Sequence, residues 1–491
     1  FQEAFAGDWP WEVATAPVVA ERAHAPGYAV LLWFVTRLGD SESVVRSLSW
    51  LAHLAGGVLV YSLAAKASGR RLVGAVATLL ALLTPLATRY ARDATPYALV
   101  GLLTLASTVL LERALRSDDR RPWFGWAAAN IVGFYVHYFT LFFAAGQVVV
   151  LLALGWRTHK SQRARRRVAF GVLALGVLGA AVALWGPEVI RAFLMSAEDN
   201  QVTQSVYPVA PGFLSFVLEH LRVLFGVPDA AAWLAVPLGL AWAVGLIRLW
   251  RDRPVLGALL AVPFALVLVL LLASYTLHAV KFGGRVYYGW RWLRPYTPAI
   301  ALPLAWLLPA AWRSPRALFA GFVAAAALVL AAWTGIETGV AFARPAQVRA
   351  AELLHEEARN GDGIGVLPAP FYSVGWSFYL HERARDFVHP GPSIWDYWGR
   401  EAGDGSQSRR VFGPIRSFGL PLESLATHGD VARLWVTIFR ERLFDRPEFD
   451  EAVTEQALAL FDRRYQRQKR FSLPFMELVA FAKPTFDPWA S

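Results

Sequence analysis

Between residues 44 and 338 the chain repeats one pattern, an apolar run of up to about 20 residues followed by a short polar or basic break. The runs fall at roughly 44–65, 72–88, 94–112, 122–137, 139–156, 168–186, 229–249, 255–274, 293–311 and 317–338. Each approaches the length that about 30 Å of hydrocarbon demands at about 1.5 Å of rise per residue. The stretch from Trp123 to Trp156 is long enough for two short spans. With 56% hydrophobic and 17% charged residues and a mean hydropathy of +0.38, the chain is too apolar for a water-soluble globule. It reads as a mainly α, polytopic membrane protein of about ten spans. Residues 27–38 are apolar but only about half a span long, which predicts an interfacial helix.

Charge orients the runs. Lys66, Arg70 and Arg71 share one break, Arg113, Arg116, Arg120 and Arg121 the next but one, and Arg157, Lys160, Arg163, Arg165, Arg166 and Arg167 another. Arg251 with Arg253, and Arg313 with Arg316, continue the alternation, which is the positive-inside signature of cytoplasmic loops. The net charge of +11 is therefore spread over membrane loops rather than gathered into a nucleic-acid surface. The absence of cysteine excludes disulfide frameworks, cysteine-ligated zinc and thiol nucleophiles.

The other breaks then face outward: residues 1–43, 89–93, the turn at His137-Tyr138-Phe139, and loops at about 187–228 and 275–292. The stretch Thr88-Arg89-Tyr90-Ala91-Arg92-Asp93-Ala94-Thr95-Pro96-Tyr97 stands out, because it sets two arginines, a carboxylate and two tyrosines between two apolar runs. Ionisable groups at a membrane boundary are costly and signal function. Guanidinium groups offer forked donors to phosphate, and a carboxylate can take a proton from a hydroxyl. Such loops beside a lipid phase suit a substrate with a phosphate head and an isoprenoid tail, a lipid-phosphate sugar donor.

From about residue 341 the character changes. A helical pattern at 347–359, a strand-like Gly363-Ile364-Gly365-Val366-Leu367 and a second strand at 431–439 predict a small α/β domain over 341–491, extracytoplasmic by the span count. The chain opens at Phe1 without a cleavable signal, from which a missing first span is expected upstream.

The segments Gln2-Glu3-Ala4-Phe5, His24-Ala25-Pro26-Gly27-Tyr28, Ser41-Glu42-Ser43-Val44-Val45-Arg46 and Tyr90-Ala91-Arg92-Asp93-Ala94-Thr95-Pro96-Tyr97-Ala98-Leu99 follow one another in an order that resembles the GT-C glycosyltransferases. More narrowly, they resemble bacterial relatives of the dolichyl-phosphate-mannose protein mannosyltransferases and of the aminoarabinose transferase of lipid A. Tyr135-Val136-His137-Tyr138-Phe139 looks like that family's tyrosine-x-histidine-tyrosine turn, and Arg291-Trp292-Leu293 with Pro298 like its entry to a late helix.

The resemblance covers residues 1–340 and implies a GT-C bundle of about ten or eleven spans with its first outer loop at 1–43. It also implies an inverting transferase of the plasma membrane that draws on a polyprenyl-phosphate sugar, with an acidic base in that loop. The family's loop reads Asp-Glu; here Gln2 precedes Glu3, so Glu3, Asp8 and Asp93 are the candidate bases. Thr95 replaces an arginine common in the second motif, a charge that Arg89 and Arg92 would supply. Further candidates for the substrate are His24, Tyr28, Tyr97, His137, Tyr138, Lys281, Arg285, Arg291 and Arg294. The expected partners are the lipid-linked donor, the bilayer, and an acceptor that is lipid, glycan or protein.

Each candidate has a plainer alternative. Glu3 reads equally as a solvated side chain, Asp93 as the partner of Arg89 or Arg92 at a helix end, and His137 as a satisfied core histidine. Arg291 and Arg294 also read as snorkelling anchors. No histidine pair stands at ligand spacing beside a carboxylate, so neither a metal nor another cofactor is expected. A transporter or flippase would show internal repeats and broken helices near the midplane, and the chain reads as having neither. A catalytically inactive scaffold of the same fold is the remaining alternative, favoured by Gln2.

Overall fold

The structure is a computed structural model that describes residues 25–39, 42–92, 94–158, 162–203, 222, 225, 227, 233–281, 297–308, 344–357, 363–367, 410–411, 433–439, 462, 466–473 and 476–482. Two compact units divide the chain, one over Glu3–Val340 and the other over Ala341–Ser491.

The first unit is a helix bundle. Its helices are α1 (Pro26–Thr36), α2 (Glu42–Ser68), α3 (Arg71–Leu83), α4 (Pro85–Arg92), α5 (Tyr97–Arg116), α6 (Arg121–Val136), α7 (Thr140–Thr158), α8 (Gln162–Thr203), α9 (Ala235–Asp252), α10 (Pro254–Lys281) and α11 (Thr297–Trp306). Contacts run in a closed ring, from α2 to α3, α11, α9, α10, α7, α6, α5 and back to α2. Helix α8 leans on the outside of α6, and α1 on α2 and α6.

Lipid is the solvent for this unit. On α2 the exposed residues include Trp50, Leu51, Leu54, Val58 and Tyr61, whereas Ser49 and His53 are buried. An apolar exterior with polar groups turned inward is the reverse of a soluble surface. Among the described residues Ser43–Ser68, Tyr97–Arg116 and Arg166–Pro187 are each long and apolar enough to cross a membrane, and the bent pair Arg71–Leu83 and Leu86–Arg92 makes a fourth if it counts as one span. Within the described residues each expected run but the last coincides in large part with helix, while 317–338 lies outside them. Several of those helices fall short as spans for evident reasons: α6 has only 16 residues, and α9 carries Arg248, Arg251 and Asp252.

Three expectations need correction. The run at 72–88 is not one unbroken helix but two helices at 64° to each other, a broken helix where none was expected. The expected loops at 89–93 and 187–228 are partly helical, because α4 carries Arg89–Arg92 and α8 continues through Pro187 to Thr203. Likewise Lys281 ends α10 rather than standing in a loop.

Prolines shape the far side of the ring. Pro303 lies inside α11 and has no N–H to give the carbonyl four residues back. That carbonyl, Ala299 O, instead accepts the indole N–H of Trp242 from α9 at 2.9 Å. Trp306 donates its own indole N–H to Asp252 at 2.8 Å, so α11 is tied to α9 at two levels. Between α5, α6 and α7 lies a buried polar node. Gln147 Oε1 accepts from Ser107 Oγ at 2.7 Å and from Trp126 Nε1 at 2.6 Å, and Asn130 Nδ2 donates to Ser107 Oγ at 2.9 Å.

The second unit packs α12 (Arg344–Glu357) on a mixed sheet of β1 (Gly363–Leu367), β2 (Arg410–Val411), β3 (Arg433–Phe439), β4 (Gln466–Leu473) and β5 (Met476–Ala482) in the order β2-β1-β3-β5-β4. β1 pairs in parallel with β2 and β3, while β5 is antiparallel to β3 and β4. Trp435 of β3 is fully buried and stacks on Phe471 of β4. Lys469 pairs with Glu357, and Arg433 donates to the carbonyl of the same residue, so the sheet grips the end of α12.

Candidate active site

The charged stretch owes its shape to one dipeptide. A residue before proline is driven from the helical region to extended backbone, and Thr84, at φ −58° and ψ 133°, stops α3 there. Pro85 then opens α4, where its fixed φ suits a first helical residue and its missing N–H costs nothing. Thr88 Oγ1 reaches back to donate to Leu82 O at 3.1 Å, so part of the broken end is satisfied locally. Helix α4 carries Arg89, Tyr90 and Arg92 for two turns, after which Pro96 caps α5 and Tyr97 begins it.

Three segments singled out in the sequence meet around this elbow. From α1, the Tyr28 hydroxyl lies 3.3 Å from Ser49 Oγ, and Ser49 Oγ donates to Thr95 O at 3.2 Å. Ser49 has one hydrogen and gives it to the carbonyl, so Tyr28 is the donor of the first bond. Beside it Gly27 lets α1 close onto α6; a Cβ there would stand 2.5 Å from Tyr135 O. From the α6–α7 turn, His137 presents its ring to Tyr97 at 5.3 Å between centroids, and Tyr97 lies 4.9 Å from Tyr90. Phe139 and Phe142 continue this aromatic wall from the far side of His137.

The turn itself is tightly made. Helix α6 stops at His137, whose backbone is extended and whose N–H still reaches Gly133 O. The Phe139 N–H donates to His137 Nδ1 at 3.2 Å, which makes Nδ1 the acceptor and sets the neutral ring as the tautomer with its hydrogen on Nε2. Tyr138 is buried against Phe134, and its hydroxyl accepts the Trp185 indole N–H at 2.8 Å. Tyr135 donates to Ala181 O at 3.0 Å, a second tie to α8.

The structure therefore ties Tyr28, through Ser49, to the segment that opens into Tyr97 and sets Tyr97 against His137, while Tyr138 turns to Phe134 and Trp185. Arg92 is half-buried at the end of α4, with the backbone of Arg89 one turn earlier. Tyr28, Tyr97 and Tyr138 are each less than a tenth exposed, so they form the frame of the wall more than its lining. Glu3, Asp8, His24, Asp93, Arg285, Arg291 and Arg294 lie outside the described residues, as do the side chains of Arg89 and Lys281. Among the described residues no three His, Asp or Glu side chains group to hold a metal ion.

Ser49, His53 and Trp185 were not among the expected site residues. For Ser49 and His53 a signal was present, since a polar residue inside an apolar run is itself a mark of function, whereas Trp185 carried none. At the opposite ends of α5 and α6 a basic cluster forms, where Arg167 pairs with Asp118 at 2.9 Å and Arg116 with the buried Glu112. The elbow and the basic cluster thus occupy opposite ends of the same two helices.

Residues 23–185 match the family model described as dolichyl-phosphate-mannose-protein mannosyltransferase, about a third of the chain, and all three converging segments lie within that match or at its edge. No curated protein matches. Among solved structures, apo ArnT from Cupriavidus metallidurans is similar over 98% of this chain and 93% of its own, with a TM-score of 0.53 at 14% identity. ArnT from the same organism bound to undecaprenyl phosphate is similar over 94% and 88%, with a TM-score of 0.47 at 15% identity. The arabinofuranosyltransferase AftD from Mycobacteria is similar over 99% of this chain but 39% of its own, with a TM-score of 0.42 at 16% identity.

Proposed function

We propose that this chain, a membrane protein of the GT-C glycosyltransferase fold, transfers a sugar from a polyprenyl-phosphate donor to an acceptor hydroxyl at the extracytoplasmic face of the plasma membrane. The observation that carries the reading is the elbow after Thr84, where an arginine-bearing helix, a histidine turn and a tyrosine anchor from three separate segments converge at one end of a lipid-facing bundle.

In this reading the donor phosphate lies among the guanidinium groups of Arg89 and Arg92, joined by Lys281, Arg285, Arg291 and Arg294. Forked, charge-assisted donors match the phosphate oxygens, and they hold the negative charge that grows there as the sugar leaves. The acceptor oxygen attacks the anomeric carbon from the face opposite the phosphate while its proton passes to a carboxylate, Glu3, Asp8 or Asp93. The bond between anomeric carbon and phosphate oxygen breaks, polyprenyl phosphate departs with the electron pair, and the configuration inverts. A phosphate leaving group needs no general acid. His24, Tyr28, Tyr97, His137 and Tyr138 frame the sugar pocket, and apolar helix faces take the isoprenoid. The residues 341–491 form the extracytoplasmic α/β domain of this reading, and 1–340 its transferase domain.

Transfer from radiolabelled polyprenyl-phosphate hexoses and pentoses in membranes tests the proposal, with Glu3→Gln, Asp8→Asn and Asp93→Asn compared with the parent. Label moving to an acceptor, and its loss in one variant that still folds, is the expected result. A chain that binds the lipid yet consumes none of these donors is instead the inactive scaffold that Gln2 suggests.

A further inference from the structure

Ser49 and His53 stand four residues apart on α2 and so share one face of that helix. Both are buried, and both reach away from their own helix to backbone carbonyls of other segments. Ser49 Oγ donates to Thr95 O at 3.2 Å, and His53 Nε2 lies 3.2 Å from Leu82 O. A carbonyl oxygen only accepts, so Nε2 carries the hydrogen. These two carbonyls bracket α4. Leu82 comes just before the break at Thr84-Pro85, and Thr95 comes three residues after Arg92.

A bend inside an apolar bundle frees backbone carbonyls that a continuous helix would have used, and each needs a partner. Here the partners come from one helix face. Leu82 O is met from α4 by Thr88 and from α2 by His53. Thr95 O is met from α2 by Ser49, which is held in turn by Tyr28 of α1. Another serine of α2 behaves differently, since Ser62 is exposed and donates within its own helix to Val58 O.

We propose that Ser49 and His53 are positioning residues that clamp both ends of α4 and so aim its charged end, Arg89–Arg92, at the donor. The aim rests on the donor reading above; the clamp does not. Losing either bond lets the short helix pivot on Pro85, because α4 has only eight residues and its preceding backbone is extended.

Hydrogen exchange of the full chain in micelles, read by mass spectrometry, tests the clamp. The variants are Ser49→Ala, His53→Phe, their double, His53→Gln and the control Ser62→Ala. The double variant is expected to speed exchange of amides in 84–97 by about tenfold while α6 and α9 keep their protection. The half-saturating concentration of undecaprenyl phosphate is expected to rise by about tenfold with it. Glutamine restores an N–H at position 53, so His53→Gln is expected to recover most of both effects, and Ser62→Ala to change neither. Exchange in 84–97 that stays as in the parent overturns the clamp, and so does acceleration spread evenly over all helices, which marks simple packing. If the parent binds no undecaprenyl phosphate but the local exchange pattern appears, the donor reading fails and the clamp stands.

Discussion

Trp242 donates its indole N–H to the carbonyl of Ala299 across 2.9 Å, and Ala299 is the residue whose carbonyl Pro303 leaves without a partner inside α11. The pairing joins a helix defect to a side chain 57 residues away. Trp242→Phe keeps the ring packing against Phe264 but removes the donor. A lowering of stability by about 1–2 kcal/mol is expected, seen as a lower unfolding temperature in detergent. Trp250→Phe, at an exposed position, serves as the neutral comparison, and equal effects in both would refute the assignment.

Close helix crossings should respond to a single methyl group. A Cβ on Gly245 would meet Pro303 O at 2.1 Å, whereas one on Gly176 would meet nothing within 4 Å. Because the obstacle at Gly245 is backbone, Gly245→Ala is expected to cost about 1–3 kcal/mol or more. Gly176→Ala is expected to gain about 0.5–1 kcal/mol from helix propensity. Thermal unfolding of the two variants should therefore move in opposite directions.

Gln147 is the hub between α5, α6 and α7, with its oxygen accepting from Ser107, Trp126 and, at 3.4 Å, Asn130, and its Nε2 donating to Thr108 Oγ1 at 3.3 Å. Gln147→Leu has similar bulk but strands the Ser107 hydroxyl and the Trp126 indole in the core. The expected loss is about 1–3 kcal/mol. Denaturant titration followed by tryptophan fluorescence would report it, and an unchanged midpoint would show that the node reorganises at no cost.

If the elbow binds a phosphate, Arg92→Gln removes a charge-assisted bond of about 1.5–3 kcal/mol, which is about 10- to 100-fold in kcat/KM for donor. His137→Phe keeps the ring contact with Tyr97 but deletes both the Nε2–H donor and the Nδ1 acceptor of the Phe139 N–H, and a loss of about tenfold is expected. Single-turnover transfer assays separate these from misfolding when unfolding temperatures are measured in parallel. Donor turnover unaffected by Arg92→Gln would remove α4 from the phosphate site.

The same residues show where sequence patterns reach and where they stop. Helix positions follow from apolar runs, since a run needs only its own residues to hide its backbone bonds in lipid. Thus α2 and α5 lie where expected, α8 begins there but runs on past its expected end at 186 to Thr203, and the strands at 363–367 and 433–439 and the helix α12 follow the expected pattern. The break after Thr84 was also a local matter, written in the Thr84-Pro85 pair, although the length of the run obscured it. Strand β4 opens on Gln466-Arg467-Gln468-Lys469-Arg470, a basic run with apolar residues only at Phe471 and Leu473 near its end, because an edge strand meets solvent and hides little.

What the chain determines alone, then, is local: which segments are helical, which are apolar, and where ionisable groups interrupt them. The tertiary structure decided which interruptions meet. Tyr97 and His137 are 40 residues apart by number, and their ring contact, like the bonds from Ser49 to Thr95 and from Trp242 to Ala299, exists only once the ring of helices closes. Periodicity reports the face a helix turns inward but not the partner it finds there. That choice depends on crossing geometry, on glycines such as Gly27 and Gly245 that permit close approach, and on proline-freed carbonyls waiting for a donor from another helix.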